Sequence, residues 1–465
     1  MRPHNELGQV DADSHQKRDQ PNTDIIAQDY LFGRKVTVWV FALLCLLMIF
    51  DFADRMIIAS LLPYIQRDWA INDAQAGFLS SILTIGMVLF AFPVSIVIDR
   101  WRRIKTASLM GIFWGIASAA GAITQSFSQL AATRLLVGAG EAAYAPASYA
   151  WISAAFPHRR LQLALGLFSA SQPIGMAIGI ALGGLIAQHL GWRYALGVMA
   201  IPGIVIALLL YKGRDYRTIL PKPLPAQVFA EKALDSASSA TVQQLTHRQV
   251  IRQNWQSIRQ TPSLLLTYLA AAMATLQWVP IVFFLPSYLH RVHQIELATA
   301  SLLTSSILLI GIVTLPLGGW VMDRLTQKYP SSKLYIAAGG YALATLLYVL
   351  AFSLVSGLWL QFALIIVAGA LLTFCSSAPL SLTQELVSPS ARALSGTTSV
   401  MTIHLLGSIP GPFIAGLLSD RFGLTVALTV LPLISGVLAT VLILFALRYY
   451  RKDFARVERY PLEAA

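Results

Sequence analysis

The sequence predicts an all-α membrane protein of twelve transmembrane helices, arranged as two pseudo-symmetric six-helix halves. Three observations carry this. The 465 residues are 56% hydrophobic and only 12% charged, with a mean hydropathy of +0.63, whereas soluble domains carry about 25% charged residues. Twelve apolar runs are each long enough to cross ~30 Å of hydrocarbon, which takes about 20 helical residues. Finally, a short phrase occurs twice, nearly half a chain apart. Pro93-Val94-Ser95-Ile96-Val97-Ile98-Asp99-Arg100 closes one apolar run and Gly318-Gly319-Trp320-Val321-Met322-Asp323-Arg324 closes another. Basic residues and a fresh apolar run follow each.

Residues 1–35 are polar and lack apolar periodicity, which predicts a disordered cytoplasmic head. Spans 1 to 6 follow at 37–62, 74–98, 104–126, 129–156, 162–188 and 193–211, giving a first half over 36–211. The first run is too long and too charged for a cleaved signal peptide. Residues 212–261 form a cytoplasmic linker. Pro221, Pro223 and Pro225 make its beginning extended, and further on Ile251, Trp255 and Ile258 share one helical face beside Arg248, Arg252 and Arg259. That pattern predicts a basic amphipathic helix on the inner membrane surface. Spans 7 to 12 occupy 263–289, 297–322, 333–354, 358–386, 393–419 and 424–447, within a second half over 262–449, and a cytoplasmic tail covers 450–465.

Two spans look equivalent. Span 5 carries Pro173, Gly175, Gly179, Gly183 and Gly184; span 11 carries Gly407, Pro410, Gly411, Pro412 and Gly416. Small residues permit close helix approach and prolines permit bending. Both spans end in similar turns, His189-Leu190-Gly191-Trp192-Arg193 and Asp420-Arg421-Phe422-Gly423. In span 7, Pro280 and Pro286 interrupt the backbone ladder and mark a gate.

The net charge of +12 is distributed as topology. With the N-terminus inside, all but six of the 34 Lys and Arg fall in the head, the inner loops and the tail. Arg67, Arg193, Arg291 and Arg421 lie in outer loops, and Arg55 and Arg134 within spans. This asymmetry places both termini in the cytoplasm, in a membrane expected to be a bacterial inner membrane, and argues against a nucleic-acid partner. Cys45 and Cys375 read as apolar structural thiols. No metal-ligand spacing, Gly-rich phosphate loop, nucleophile elbow or histidine cluster is present. A metal site, ATP-driven pumping and a membrane enzyme are therefore not expected.

Charges inside a span cost roughly 2.5–3.5 kcal/mol on insertion scales, so they need partners or a wet cavity. The first half has five. In span 1, Asp51 and Arg55 are one helical turn apart, with Asp54 beside them. In span 4, Arg134 and Glu141 share a face two turns apart. At about 1.5 Å per residue, the two groups fall at overlapping depths. Fully ionised, they sum to −1, and one proton makes them neutral. Asp51, Asp54, Arg55 and Glu141 are therefore expected to couple to protons, and Arg55 or Arg134 to hold an anionic group of a substrate. In the second half Gln277, Trp278, Ser377 and His404 are candidate cavity residues. Asp99, Arg100 and Arg103 at the inner end of span 2, and Asp323 and Arg324 at that of span 8, are candidate gate residues. Glu385 is expected to reach Arg392 as an inner-gate salt bridge. Duplicated halves with buried charges are the construction of secondary transporters.

The two repeated phrases resemble the loop motif of the major facilitator superfamily, although Ser95 and Arg102 stand where it usually has glycine. Arg134-Leu135-Leu136-Val137-Gly138-Ala139-Gly140 resembles its fourth-span motif, and the Gly/Pro pattern of span 5 its fifth. The likeness covers about 36–449. Within the superfamily, Asp54-Arg55, Gly140-Glu141-Ala142 and His404-Leu405-Leu406-Gly407-Ser408-Ile409-Pro410-Gly411-Pro412 most resemble the spinster family. That resemblance implies proton-linked movement of lysolipids, sphingoid phosphates or other amphipathic compounds. It also implies coupling carboxylates at Asp54 and Glu141 with Arg55 between them. The anion:cation symporter family also has Asp-Arg in span 1 and an Arg with Glu in span 4, and its seventh-span ending resembles Leu285-Pro286-Ser287-Tyr288-Leu289. It implies proton symport of small carboxylates or hexuronates. The expectation is a monomeric, alternating-access carrier of an amphipathic or anionic substrate, surrounded by membrane lipids. It needs no cofactor and draws its energy from the proton gradient.

Overall fold

The computed structural model describes residues 30–100, 103–215, 247–388 and 391–457. Among them the regular structure is helical. Spans 1 to 6 are Arg34–Trp69, Asp73–Arg100, Arg103–Gly121, Phe127–Ala155, His158–Leu190 and Trp192–Tyr211. A separate helix, His247–Arg259, begins after the proline-rich part of the linker. Spans 7 to 9 are Pro262–His293, Leu297–Lys328 and Ser332–Ser353. Span 10 is broken into Leu358–Cys375 and Ser377–Glu385, and span 12 is Leu424–Arg456. Ten of these spans are apolar enough to cross a membrane on composition alone. Residues 1–29, 216–246 and 458–465 lie outside the described residues. The expected head, the proline stretch and the end of the tail therefore go without structural comment.

Span 11 departs most from a plain helix. It runs Arg392–Ile403, then one π-helical turn His404–Ser408, then Pro410–Phe422. Pro410 has no N–H to donate into the ladder. Ile409 N instead bonds five residues back, to His404 O, at 2.9 Å. The prolines made a bend foreseeable, whereas the wide turn holding His404 was not.

The two similar turns are alike in backbone. Gly191 and Gly423 have φ of 94° and 87° and join spans 5 to 6 and 11 to 12. Only glycine adopts that conformation without a Cβ penalty. Within the first half, span 5 lies along span 1, and span 4 packs between spans 2 and 3. Spans 1 and 5 approach backbone to backbone: a Cβ on Gly179 would sit 2.1 Å from Ala53 O. Span 5 thus braces the span 1 backbone beside Asp54. In the second half, span 12 packs on spans 7 and 9.

The halves meet along spans 2 and 11, 5 and 8, and 1 and 7. Gly77 abuts Pro412, Gly416 abuts Asp73 and Gly184 abuts Ser301, all at the end remote from the termini. Every hydrogen bond or ion pair joining the halves through described partners lies in that same part of the bundle. The molecule is sealed there, yet Arg55 in the middle of span 1 keeps 17% of its side chain exposed.

Candidate functional site

The five buried charges of the first half divide into two groups. Asp54 and Arg134 are both fully buried and pair at 3.3 Å, Oδ2 to Nη1. Ser118 of span 3 donates its hydroxyl to Asp54 Oδ1 and accepts Arg134 Nη2 at 3.3 Å. This group is neutral and closed off. Of the two arginines expected to hold a substrate's anionic group, Arg55 or Arg134, Arg134 is fully buried and paired with Asp54.

The second group holds the imbalance. Arg55 Nη2 donates to Glu141 Oε2 at 2.8 Å and lies 3.7 Å from Asp51 Oδ2. Its guanidinium also covers the Phe52 ring, 4.4 Å from the centroid. Asp51 and Glu141 are each 3% exposed, and Asp51 Oδ1 and Glu141 Oε1 have no hydrogen-bond partner. Two carboxylates thus share one guanidinium. The expectation that Arg55 lies between Asp54 and Glu141 is corrected: its neighbours are Asp51 and Glu141. Consecutive residues of an α-helix point about 100° apart, so Asp54 and Arg55 face different neighbours, whereas Asp51 and Arg55 share a face.

In the second half, His404 sits in the π turn of span 11, its Nδ1 3.3 Å from Ser408 Oγ. Trp278 is half-buried against Gly369 of span 10. Gln277, one residue earlier, is fully buried and donates to Thr345 Oγ1 of span 9 at 3.1 Å. It lies in the core of the second half, not on a cavity wall, because the one-residue step turns it away from Trp278. Ser377 caps the break in span 10, donating to Phe374 O at 3.1 Å and lying 3.2 Å from Met322 Sδ.

The expected gate residues fare unevenly. The side chains of Asp99 and Arg100 lie outside the described residues, although span 2 carries both to its end. Arg103 opens span 3, whose Ile104 N–H is capped by Asp215 Oδ2 at 2.8 Å. Asp323 is exposed, and Arg324 stacks on Trp320 at 4.3 Å. Glu385 pairs with Lys333, which starts span 9, and not with the exposed Arg392. Lys333 is 3% exposed, and a buried ammonium needs a counter-charge more than a solvated guanidinium does.

Sequence reasoning missed a clasp at the sealed end. Arg291 of span 7 donates to both oxygens of Asp73 at 2.8 Å and to Gln66 Oε1 at 2.7 Å. Ser419 Oγ donates to Asp73 Oδ2 at 2.5 Å. Asp420 of span 11 accepts the backbone N–H groups of Asp73 and Ala74 at 2.8 and 2.9 Å. One half thus caps the first turn of a helix in the other, a favourable place for a carboxylate. The signal was available in the outer-loop charges, which the topology argument treats only as a minority.

Comparison with known proteins bears on this arrangement. The Major Facilitator Superfamily profile matches residues 44–401. An MFS-type efflux pump of Mycolicibacterium smegmatis is 26% identical over 80% of this chain and 81% of its own. Protein spinster of Drosophila melanogaster is 25% identical over 81% of this chain and 61% of its own. A hexuronate transporter of Bacillus subtilis is 24% identical over 60% of this chain and 63% of its own. The crystal structure of a bacterial homolog of the human lysosomal transporter Spinster aligns with a TM-score of 0.75 at 20% identity, covering 92% of this chain and all of that one. Twelve spans in two packed halves agree with that match, and the chain belongs to the Major Facilitator Superfamily as a multi-pass membrane transporter.

Proposed function

We propose that the protein is a proton-coupled carrier of an amphipathic organic anion, and that its proton is held between Asp51 and Glu141. The observation that supports this most is the sharing of one guanidinium by two buried carboxylates, each with an unpartnered oxygen. Carboxylates this close cannot both stay ionised at low cost. One proton balances the charge and supplies a donor. Asp54 serves as the fixed counter-ion of Arg134 beside this site. Arg55, the partly accessible cation of the group, receives the anionic part of the substrate, and His404 is its proposed counterpart from the second half. The half-buried indole of Trp278 is offered to the hydrophobic part. The carboxylates and the substrate anion then compete for the same guanidinium, so a proton on Asp51 or Glu141 frees Arg55 for the substrate and links the two.

The cycle is alternating access by rocking of the two halves. In the present state the clasp of Asp73, Arg291, Ser419 and Asp420 seals one end. The charge asymmetry of the loops supports an outer position for that end, with both termini in the cytoplasm of a bacterial inner membrane. The resemblance of spans 1, 4 and 11 to the spinster family supports a lysolipid-like substrate. A second reading, symport of a small carboxylate or hexuronate, draws support from the one partly accessible guanidinium of this charge group, Arg55, and from the Bacillus relative.

Purified protein in liposomes tests both readings. Flux of labelled lysophospholipid and of glucuronate is measured with and without an imposed pH gradient. Gradient-driven lysolipid accumulation is expected. Accumulation of glucuronate with lysolipid ignored selects the second reading, and flux of either that ignores the gradient overturns proton coupling.

A further inference from the structure

We propose that a groove at the termini end of the second half is a binding site for one anionic phospholipid, drawn from the surrounding bilayer. The groove has a volume of about 640 Å³ and lies between the turn joining spans 8 and 9 and the end of span 12. Its wall is aromatic and apolar: Leu325, Tyr329, Tyr335, Ile336, Tyr450 and Phe454. Tyr450 Oη is anchored to Pro330 O at 3.2 Å, which holds span 12 against the turn. Tyr329 and Tyr335 are 58% and 64% exposed, far more than residues closing a packed seam between helices. Tyrosines prefer the headgroup level of a membrane, where the ring is apolar and the hydroxyl wet. The groove therefore sits at the depth where a lipid passes from headgroup to acyl chain.

Charge selects the occupant. Arg451 is exposed, lines the groove and forms no salt bridge among the described residues. Lys328 is engaged on the Tyr329 ring at 5.4 Å, which adds a second cation beside the mouth. The acid of this stretch, Asp453, points inward and is used up: its Oδ2 accepts Ser263 N at 2.9 Å and Ser263 Oγ at 2.6 Å. What the groove presents outward is positive above and aromatic below. Basic pockets between helices on the cytoplasmic side are suited to phosphate-bearing lipid heads. A headgroup phosphate falls on Arg451, and an acyl chain follows the same face of span 12 past Leu444, two turns before Arg451 and 50% exposed. The site is independent of the proton-coupling reading, and it is separate from the Arg55 group.

Native mass spectrometry of the full-length protein in detergent tests this, since no membrane surface charge remains to attract lipid generally. The probes are phosphatidylglycerol and phosphatidylcholine with identical acyl chains. One retained phosphatidylglycerol is expected, favoured over phosphatidylcholine. Arg451→Gln is expected to lower its retention about tenfold, the loss of one charge-assisted contact. Tyr335→Ala is expected to lower retention of both lipids. Arg448→Gln and Lys452→Gln, exposed changes on the same helix outside the groove, are expected to alter it less than about twofold. Equal retention of the two lipids, equal losses in all three basic variants, or displacement of the lipid by free glycerol phosphate each overturns the assignment.

Discussion

Asp54 and Arg134 are both fully buried, so neither can lose its partner without leaving a charge stranded. Breaking such a pair by removing one member costs about 3–5 kcal/mol. Asp54→Asn is therefore expected to lower the melting temperature of the purified protein sharply, and Asp54→Asn combined with Arg134→Gln to recover part of the loss. A double variant worse than the sum of the singles contradicts the pairing. Asp51→Asn and Glu141→Gln belong to the other group and should behave differently. Each neutralises one of two carboxylates that share Arg55, so folding is expected to survive. Flux down a substrate gradient should persist and cease to respond to an imposed pH gradient. Accumulation at the wild-type level in either variant contradicts the proposed site. The sequence made the five charges legible, together with the shared face of Asp51 and Arg55. Which acid each arginine takes depends on how span 1 is rotated against span 4, and close packing against span 5 sets that rotation.

Helices carry two further expectations. A Cβ on Gly138 would lie 2.0 Å from Leu83 O, and one on Gly179 2.1 Å from Ala53 O. Gly179→Leu is expected to destabilise the protein by about 1–3 kcal/mol or more through overpacking. Gly166→Ala, in the same span and with nothing within 4 Å of its Cβ, should be tolerated. Thermal unfolding followed by size-exclusion recovery separates the two, and equal behaviour counts against the close span 1–span 5 contact. The sealed end is the second case. Arg291→Ala removes the guanidinium that joins span 7 to Asp73 of span 2. Arg291 is about one-third exposed, so the pair is worth about 1 kcal/mol. A cysteine in place of Ser301, buried between spans 5 and 8, is expected to react about fivefold faster with an impermeant thiol reagent once Arg291 is Ala. An unchanged rate means that the clasp does not hold that end shut. The small residues of spans 5 and 11 announced close approach in the sequence. The π turn at His404–Ser408 did not, because period and composition there match an ordinary helix broken by proline.

For the whole molecule, the fold was almost wholly legible. Twelve apolar runs became twelve spans, and the repeated phrases fell at the ends of spans 2 and 8. Hydrophobic length and charge asymmetry are properties of single segments and need no knowledge of packing. Partnerships between segments are a different matter: Glu385 took Lys333 in place of Arg392, and the clasp joins residues more than two hundred positions apart. Orientation is open to a direct check. In intact cells, an impermeant thiol reagent is expected to label a cysteine placed at Ile123, 80% exposed in the turn between spans 3 and 4, and to spare one at Ala455 in the last span's end. The reverse pattern inverts the topology.

The unequal sharing of Arg55 also has an electrical meaning. In the proposed cycle the buried group carries one net negative charge without its proton and none with it. The membrane potential falls mainly across whichever end is sealed, so rocking moves the group from one side of the field to the other without displacing it in space. A unit charge crossing in this way exchanges about 2.3 kcal/mol per 100 mV with the membrane. Reorientation of the empty, unprotonated carrier therefore generates current, and reorientation of the empty, protonated carrier is silent.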